Sequence, residues 1–262
     1  MCEQMKLLTL NCHSWQEENP LEKLDLLAAA IVDNGYDVIA LQEVSQSEEA
    51  GRENYAKLLV EKLHALGQTA YTYIWDLCHF GYDIYEEGVA IVTAHPVISQ
   101  DSFFITDQQD VRNWKTRKIV KAVIELNGKP VSFYSCHLGW WQDKEEPAKK
   151  QLDRLLERAV HDECSFLMGD FNGAPSVRGE NYEYVLEAGF FDTYTLASEK
   201  DEGVTVKGRI DGWNGNTDDL RIDYIFVNQP IHVLSSNVVF NGHNKLIVSD
   251  HFGVEIEILP SK

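Results

Sequence analysis

The sequence predicts an α/β fold in which helices are layered over mixed β-sheets. Three observations predict it. Segments with apolar residues at helical spacing alternate with β-branched and aromatic runs. The runs are joined by short turns in some places and by helical crossovers in others, so parallel and antiparallel pairs share the sheets. Several runs also end in a polar residue able to hold a metal or a phosphate, and strand ends are where mixed α/β folds place ligands.

Residues 6–10 form an apolar run that ends in Asn11. Asn19-Pro20 then opens a helix whose Leu21, Leu24, Leu27, Ala28 and Ile31 fall on one face, and Asn34-Gly35 stops it. Residues 38–41 read as a buried strand ending at Gln42-Glu43, and 49–66 as a helix closed by Gly67. The chain then changes character: residues 71–77, 88–93, 118–126 and 131–136 are strand-like, with Asn127-Gly128 as a turn between the last two. Residues 147–160 regain helical spacing through Leu152, Leu155, Leu156 and Ala159. A short strand at 165–168 and a helix at 180–188 follow, and strands at 222–227, 233–240 and 252–258 complete the chain.

Composition limits what this fold does. The 262 residues carry 23 Lys and Arg against 42 Asp and Glu, a formal charge of −19. A chain this acidic repels a polyanion, whereas nucleic-acid binding draws its affinity from basic residues that release counterions, so a nucleic-acid partner is disfavoured. Apolar residues at 44% are ample for a packed core, and without a linker or repeat one domain over 1–262 is expected. The longest apolar run, 26–32, is too short to cross a membrane, and no basic segment precedes a long apolar stretch, so no membrane partner and a cytoplasmic location are expected. Cys2, Cys12, Cys78, Cys136 and Cys164 are scattered without metal-ligand spacing and read as reduced thiols. No heptad pattern speaks to oligomeric state.

The chemistry sits where the strands stop. Asn11, Glu43, His137, Asp170 with Asn172, and Asp223 each follow or begin such a run, and Ser249-Asp250-His251 precedes the last one. Any one of these has an ordinary reading as a cap, a turn or a satisfied polar residue. Their coincidence in one chain points to a rigidly held polar site.

The segments LTLNC, ALQEV, EGVAIVT, YSCHLGW, LMGDFN, RIDYIFV and SDHFGV resemble, in order, the signature blocks of the endonuclease/exonuclease/phosphatase superfamily. They run from Asn11 to His251. The resemblance implies the deoxyribonuclease-I-like fold: a four-layer α/β sandwich with two mixed β-sheets packed face to face, helices outside, and a site at one edge of the sheets. It implies that Glu43 is the main ligand of a divalent metal, assisted by Asn11 and Asp250. Asp170 and Asn172 are implied to orient and activate the attacking water or hold the scissile phosphate. His251, paired with Asp223, and His137 are implied to contact phosphoryl oxygens. Carboxylate and amide oxygens are hard donors, which suits Mg²⁺ or Mn²⁺.

The resemblance also calls for an acidic residue in EEGVAIVT that supports His137; Glu86 and Glu87 both fit, with Glu86 preferred by its spacing to the strand. Arg117 matches a position where the superfamily places a phosphate-contacting arginine. The segment after Glu43 departs from the nuclease branch, since Val44-Ser45-Gln46 lacks the arginine expected there. YEEGVAIVTAHPV, DVRNWKTRKIV and YSCHLGWWQDKEEPAKKQ are similar to a cytosolic bacterial branch that includes maltose 6'-phosphate phosphatases. Trp114, Trp140, Trp141 and Trp213 lie beside the signature blocks and suit stacking on a sugar ring.

The expectation is therefore a Mg²⁺- or Mn²⁺-dependent phosphatase releasing phosphate from a small phosphorylated sugar, with Trp140 and Trp213, Arg117 and Glu86 on the substrate side. The alternatives are an endonuclease or phosphodiesterase on nucleic acid, and a non-catalytic scaffold of the same fold.

Overall fold

The structure, a computed structural model, describes residues 4–259 apart from 49, 127, 212 and 214. Cys2, the expected helix start at Glu49, Asn127 of the expected turn, and Gly212 and Asn214 of the tryptophan loop lie outside the described residues.

The first half of the chain gives β1 (Met5–Asn11), α1 (Pro20–Asn34), β2 (Val38–Ser47), α2 (Tyr55–Ala65), β3 (Thr72–Gly81) and β4 (Tyr85–Thr93). Then come β5 (Val97–Phe104), β6 (Lys118–Leu126), β7 (Lys129–His137), α3 (Ala148–Ala159), β8 (Ser165–Asp170), α4 (Asn181–Glu187), β9 (Phe191–Asp192) and α5 (Thr193–Leu196). The short β10 (Glu199–Lys200), β11 (Val206–Lys207) and β12 (Asp219–Leu220) lead to β13 (Asp223–Val227), β14 (His232–Val239) and β15 (Gly253–Leu259).

One sheet has the order β10-β14-β15-β1-β2-β4-β3, the other β5-β6-β7-β8-β13-β9, and β11 pairs with β12 apart from both. Strand alternation sorts their side chains. Leu7, Val38, Ala40, Ile91 and Ile256 of the first sheet meet Val120, Phe133, Phe166, Met168 and Ile225 of the second in a shared interior. The opposite face of the first sheet, with Leu8, Leu10, Ile39 and Leu41, is covered by Leu24, Leu27 and Ile31 of α1 and Leu59 and Leu63 of α2. The opposite face of the second, with Tyr134, Cys136, Leu167 and Tyr224, is covered by Leu152 and Leu155 of α3 and Val185 of α4. The result is the four-layer sandwich, two mixed sheets face to face with helices outside.

Several elements differ from expectation, β3 and β4 being longer than 71–77 and 88–93 and the short elements between 191 and 220 being unexpected, and three departures have a clear physical reason. β2 runs past Gln42 to Ser47 because a bulge between Leu41 and Val44 lets pairing with β4 resume. α2 starts at Tyr55, since Asn54 caps it by accepting hydrogen bonds from the backbone nitrogens of Ala56 and Lys57 at 3.0 and 3.1 Å. β5 was not legible as a strand: it is a sheet edge, mostly exposed, and its Ser99-Gln100-Asp101-Ser102 stretch carries no apolar alternation. No helix among the described residues is long and apolar enough to cross a membrane.

Candidate active site

Two parallel pairs fix where the site forms. β1 runs beside β2 with Asn11 opposite Gln42, and β7 beside β8 with His137 opposite Asp170. Antiparallel β13 begins at the same edge, with Asp223 opposite Asp170. Side-chain parity does the rest. Asn11 is in phase with Leu7, His137 with Phe133, Asp170 with Phe166 and Met168, and Asp223 with Ile225, all residues of the inter-sheet interior. The polar cluster is thus the open end of the apolar layer between the sheets.

Glu43 reaches it by a different device. Val38 and Ala40 point inward and Ile39 and Leu41 outward, so simple alternation would send position 43 outward. The bulge inserts an extra residue: Gln42 points inward to donate to Ser135 Oγ at 3.1 Å, Val44 joins the outer core, and Glu43 adopts φ +53° between them. A non-glycine residue in that region carries strain, which the surrounding pairing holds in place. The bulge aims the carboxylate at the cleft.

Asn11 links the two acidic centres. Its Nδ2 donates to Glu43 Oε1 at 2.8 Å and to Asp170 Oδ2 at 3.3 Å, while its Oδ1 accepts from the backbone nitrogen of His13. Asn11 therefore orients the two carboxylates in this arrangement and does not present its oxygen to the cleft. Asp170 Oδ1 accepts from the Asn172 backbone nitrogen at 2.9 Å, and Asn172, at φ +48°, anchors its own amide to the Leu138 carbonyl. His137 Nε2 lies 3.9 Å from Glu43 Oε1 and 3.7 Å from Asp170 Oδ2. His251 Nδ1 lies 3.1 Å from Asp223 Oδ2, and its Nε2 is 4.0 Å from Asp170 Oδ2. Asp250 sits at the rim, its Oδ2 accepting from the Asp211 backbone nitrogen at 3.1 Å.

The electrostatics follow from packing these groups together out of water. Burial, and then the Glu87 carboxylate, pushes Glu43 up to about 8. Burial, and then Asp223, pushes Asp170 up to about 7. Burial favours neutral His251, but the Asp223 carboxylate outweighs it and holds the imidazole up to about 10. Burial and the Arg117 guanidinium drive His137 well below the ordinary histidine range. One imidazole is therefore charged and the other neutral at the same edge.

Glu86 does not support His137. Its neighbours in strand phase, Ala90 and Val92, face the helices, and its carboxylate accepts from Gln46. Glu87, in phase with Val89 and Ile91, points inward, where its carboxylate clusters with Glu43 and His137 with ligand atoms within 4.8 Å of one another. Its hydrogen-bonding partners are His79, with Nε2 3.2 Å from Oε1, and Gln16. Burial opposes its charge, yet the His79 contact and Arg117 hold the Glu87 carboxyl below its ordinary value.

Glu43, Glu87, His137, Asp170, Asn172, Asp250 and His251 line a cleft of about 490 Å³. Arg117 lines it too, buried at 5% exposure, with one guanidinium nitrogen 2.6 Å from the Trp114 carbonyl oxygen and 3.3 Å from His79 Nδ1. Trp140 and Trp213 form part of the wall together with Trp114, whereas Trp141 packs on Tyr184 at the edge of the outer core. Residues that the sequence did not single out also reach this space: His79, Tyr82, Asp83 and Asp211 line the cleft, and His13 and Glu17 flank Asp250 at 3.9 and 3.0 Å. The inward parity of Glu87 was available as a signal, since it shares the phase of Val89 and Ile91. Tyr82, Asp83 and Asp211 lie in loops where no periodicity operates.

The donor set fits a hard divalent cation. Glu43, half-buried, and Asp170, buried, are carboxylates raised by desolvation and by neighbouring carboxylates, a state that a cation relieves, and no cysteine joins them among the described residues.

A family model described as "Endonuclease/Exonuclease/phosphatase family" matches residues 8–251. Among solved structures, an endonuclease/exonuclease/phosphatase family protein from Leptotrichia buccalis C-1013-b is 42% identical with a TM-score of 0.89, over 97% of this chain and 99% of that one. A mannosyl-6-phosphatase from Bacteroides thetaiotaomicron VPI-5482 is 18% identical with a TM-score of 0.72, over 96% and 98% of the two chains. D. rerio TDP2 complexed with single-strand DNA product is 15% identical with a TM-score of 0.68, over 97% and 98%. The last two likenesses are of fold. No curated protein sequence matches the chain significantly.

Proposed function

The chain belongs to the endonuclease/exonuclease/phosphatase family, and from that premise we propose that it is a phosphomonoesterase that releases inorganic phosphate from a phosphorylated sugar. The family is one of divalent-metal-dependent phosphoester hydrolases; the monoester and the sugar are our reading. The observation that carries it is the composition of the cleft. Beyond the buried acidic floor, the wall is aromatic, with Trp114, Trp140 and Trp213, and the mouth carries Asp83 and Asp211. Indole faces stack on the apolar face of a sugar, and carboxylates accept from its hydroxyls. A polynucleotide needs a basic track, and Arg112 and Arg117 are the only Lys or Arg among the described lining residues. The mannosyl-6-phosphatase likeness is compatible with this reading, as the DNA-bound likeness is with a nuclease, and at such identities neither chooses.

Glu43 and Asp250, with Asn11 orienting Glu43, would hold Mg²⁺ or Mn²⁺. Held by these residues, such a cation would supply charge neutralisation at the phosphate and acidification of a water. The residues do the rest. His251, charged by its contact with Asp223, donates through Nε2 to a phosphoryl oxygen and stabilises charge that builds in the transition state. His137, kept neutral, donates to or accepts from a second oxygen without adding repulsion toward the metal. Asp170, fixed by the Asn172 and Asn11 donors, orients the attacking water and takes its proton, for which a carboxyl raised to about 7 is suited near neutrality. Arg117 grips the phosphate from the wall. No side chain is required as a covalent nucleophile.

Phosphate release from phosphorylated mono- and disaccharides tests the reading. Loss of release with EDTA and with Asp170→Ala is expected; release that persists under both treatments would overturn it.

A further inference from the structure

The mouth of the cleft carries charges of its own, and they specify more of the substrate than its phosphate. At the floor Arg117, buried at 5% exposure, lines the cleft, and its Nε has no hydrogen-bond partner among the described residues. A buried arginine with unused donor capacity is a built anion site. The exposed mouth carries two carboxylates, Asp83 and Asp211, against one guanidinium, Arg112. Asp211 is 45% exposed, and its Oδ2 accepts from Tyr82 Oη at 2.5 Å. That hydrogen bond spans from the β3–β4 turn to the loop before β12, and the Asp211 backbone is held in turn by Asp250. His13 Nε2, at 3.7 Å, is the one cationic neighbour of the Asp211 carboxylate among the described residues. Asp83 is exposed and has no ion-pair partner among them.

The turn itself is a costly one. Tyr82 and Asp83 both take positive φ, +50° and +61°, where glycine or asparagine is the ordinary occupant. This backbone brings a tyrosine hydroxyl to Asp211, and the second residue of the turn, Asp83, lines the same cleft. With Arg112 offsetting one of them, the two carboxylates leave the entrance net negative, which works against a substrate that carries further negative charge.

We propose that Asp83 and Asp211, the latter clasped by Tyr82, form a carboxylate gate that selects phosphomonoesters whose leaving group is an uncharged polyol and rejects those bearing a second phosphate. The gate acts in two ways: its oxygens accept hydrogen bonds from hydroxyls of the leaving group, and its charge repels an anionic one. The inference rests on the phosphomonoesterase reading and deepens it.

The test compares kcat/KM for glucose 6-phosphate, fructose 1,6-bisphosphate and phenyl phosphate in the full-length protein with Mn²⁺ and in Asp211→Asn, Asp83→Asn and the double variant. The wild-type protein is expected to prefer the monophosphate to the bisphosphate by about tenfold or more, equivalent to about 1.4 kcal/mol. The double variant is expected to lose most of that preference, chiefly through a lower KM for the bisphosphate. Raising salt should narrow the preference in wild type and leave the double variant's ratio in place, a response that a merely structural role would not give. Tyr82→Phe, which removes only the clasp, should move the ratio part of the way and guards against misfolding of the aspartate variants. A wild type that treats both sugars alike, or a double variant that hydrolyses glucose 6-phosphate with an unmoved ratio, overturns the gate while leaving the phosphomonoesterase reading intact. Failure to release phosphate from all three, with cleavage of bis-p-nitrophenyl phosphate, overturns the underlying reading itself.

Discussion

His251 Nδ1 lies 3.1 Å from Asp223 Oδ2, with both side chains buried, and the two come from segments brought together only where β13 starts and β15 is about to begin. The contact decides the charge of the ring. Asp223 holds the imidazole up to about 10, which favours the cationic ring in the neutral range.

Asp223→Asn preserves shape and removes the charge. We expect kcat for phosphate release to fall by about 10²- to 10⁴-fold, the range typical of a lost acid–base or charged donor partner. The alkaline limb of the kcat profile should also move to lower pH, because the imidazolium loses the carboxylate that sustains it. A profile with the same alkaline limb in both proteins would count against the role of the pair.

The metal-free site gives stability a definite pH dependence. Glu43 and Asp170 are raised to about 8 and about 7, so in the folded state they hold protons that the unfolded chain has released. Their contribution to stability is fully present below the ordinary carboxylate range and is lost as pH rises through about 8. The Tm of EDTA-treated protein should therefore fall between about pH 5 and pH 8, and the stabilisation by Mn²⁺ should grow over the same window as Glu43 gives up its proton. Differential scanning fluorimetry at several pH values measures both. A Mn²⁺ effect that is independent of pH would contradict the assignment.

Trp140 and Trp114 meet edge to face, with ring centroids 5.9 Å apart. Trp140→Ala should raise KM for a phosphorylated disaccharide by about tenfold, the loss of one aromatic stacking contact, and raise KM for phenyl phosphate less. Equal increases for both substrates would place Trp140 in packing alone.

Gly169 stands inside β8 opposite Cys136, and a Cβ there would lie 1.9 Å from the Cys136 carbonyl oxygen, at a φ of +150°. Gly169→Ala should destabilise by about 4 kcal/mol or more, since backbone must shift between two central strands that carry His137 and Asp170. Denaturant unfolding checks this; a loss under about 1 kcal/mol would contradict the tight strand approach.

Much of this was legible in the sequence, because periodicity reports which side chains point inward. Residues 118–126 were bounded correctly as a strand, and the polar ends at Asn11, His137, Asp170 and Asp223 lie in the inward phase of their strands. The same argument applied to β4 would have chosen Glu87 over Glu86; spacing to the strand was the weaker guide. The bulge at Glu43 was hidden, since it depends on where pairing with β4 resumes and not on local composition. The edge strand β5 was hidden because an edge has no need of apolar alternation. Tyr82, Asp83 and Asp211 were invisible for a third reason: they converge through loop geometry, with Tyr82 and Asp211 separated by 129 residues.

The central claim is that this cleft removes a terminal phosphate from a sugar and does not cut a phosphodiester strand. The most direct measurement is inorganic phosphate release from a phosphorylated disaccharide alongside cleavage of a single-stranded oligonucleotide, by one enzyme preparation with Mn²⁺. The account expects phosphate release that is abolished by EDTA and by Asp170→Ala, with the oligonucleotide left intact. Efficient strand cleavage with no release from the disaccharide phosphate would contradict it.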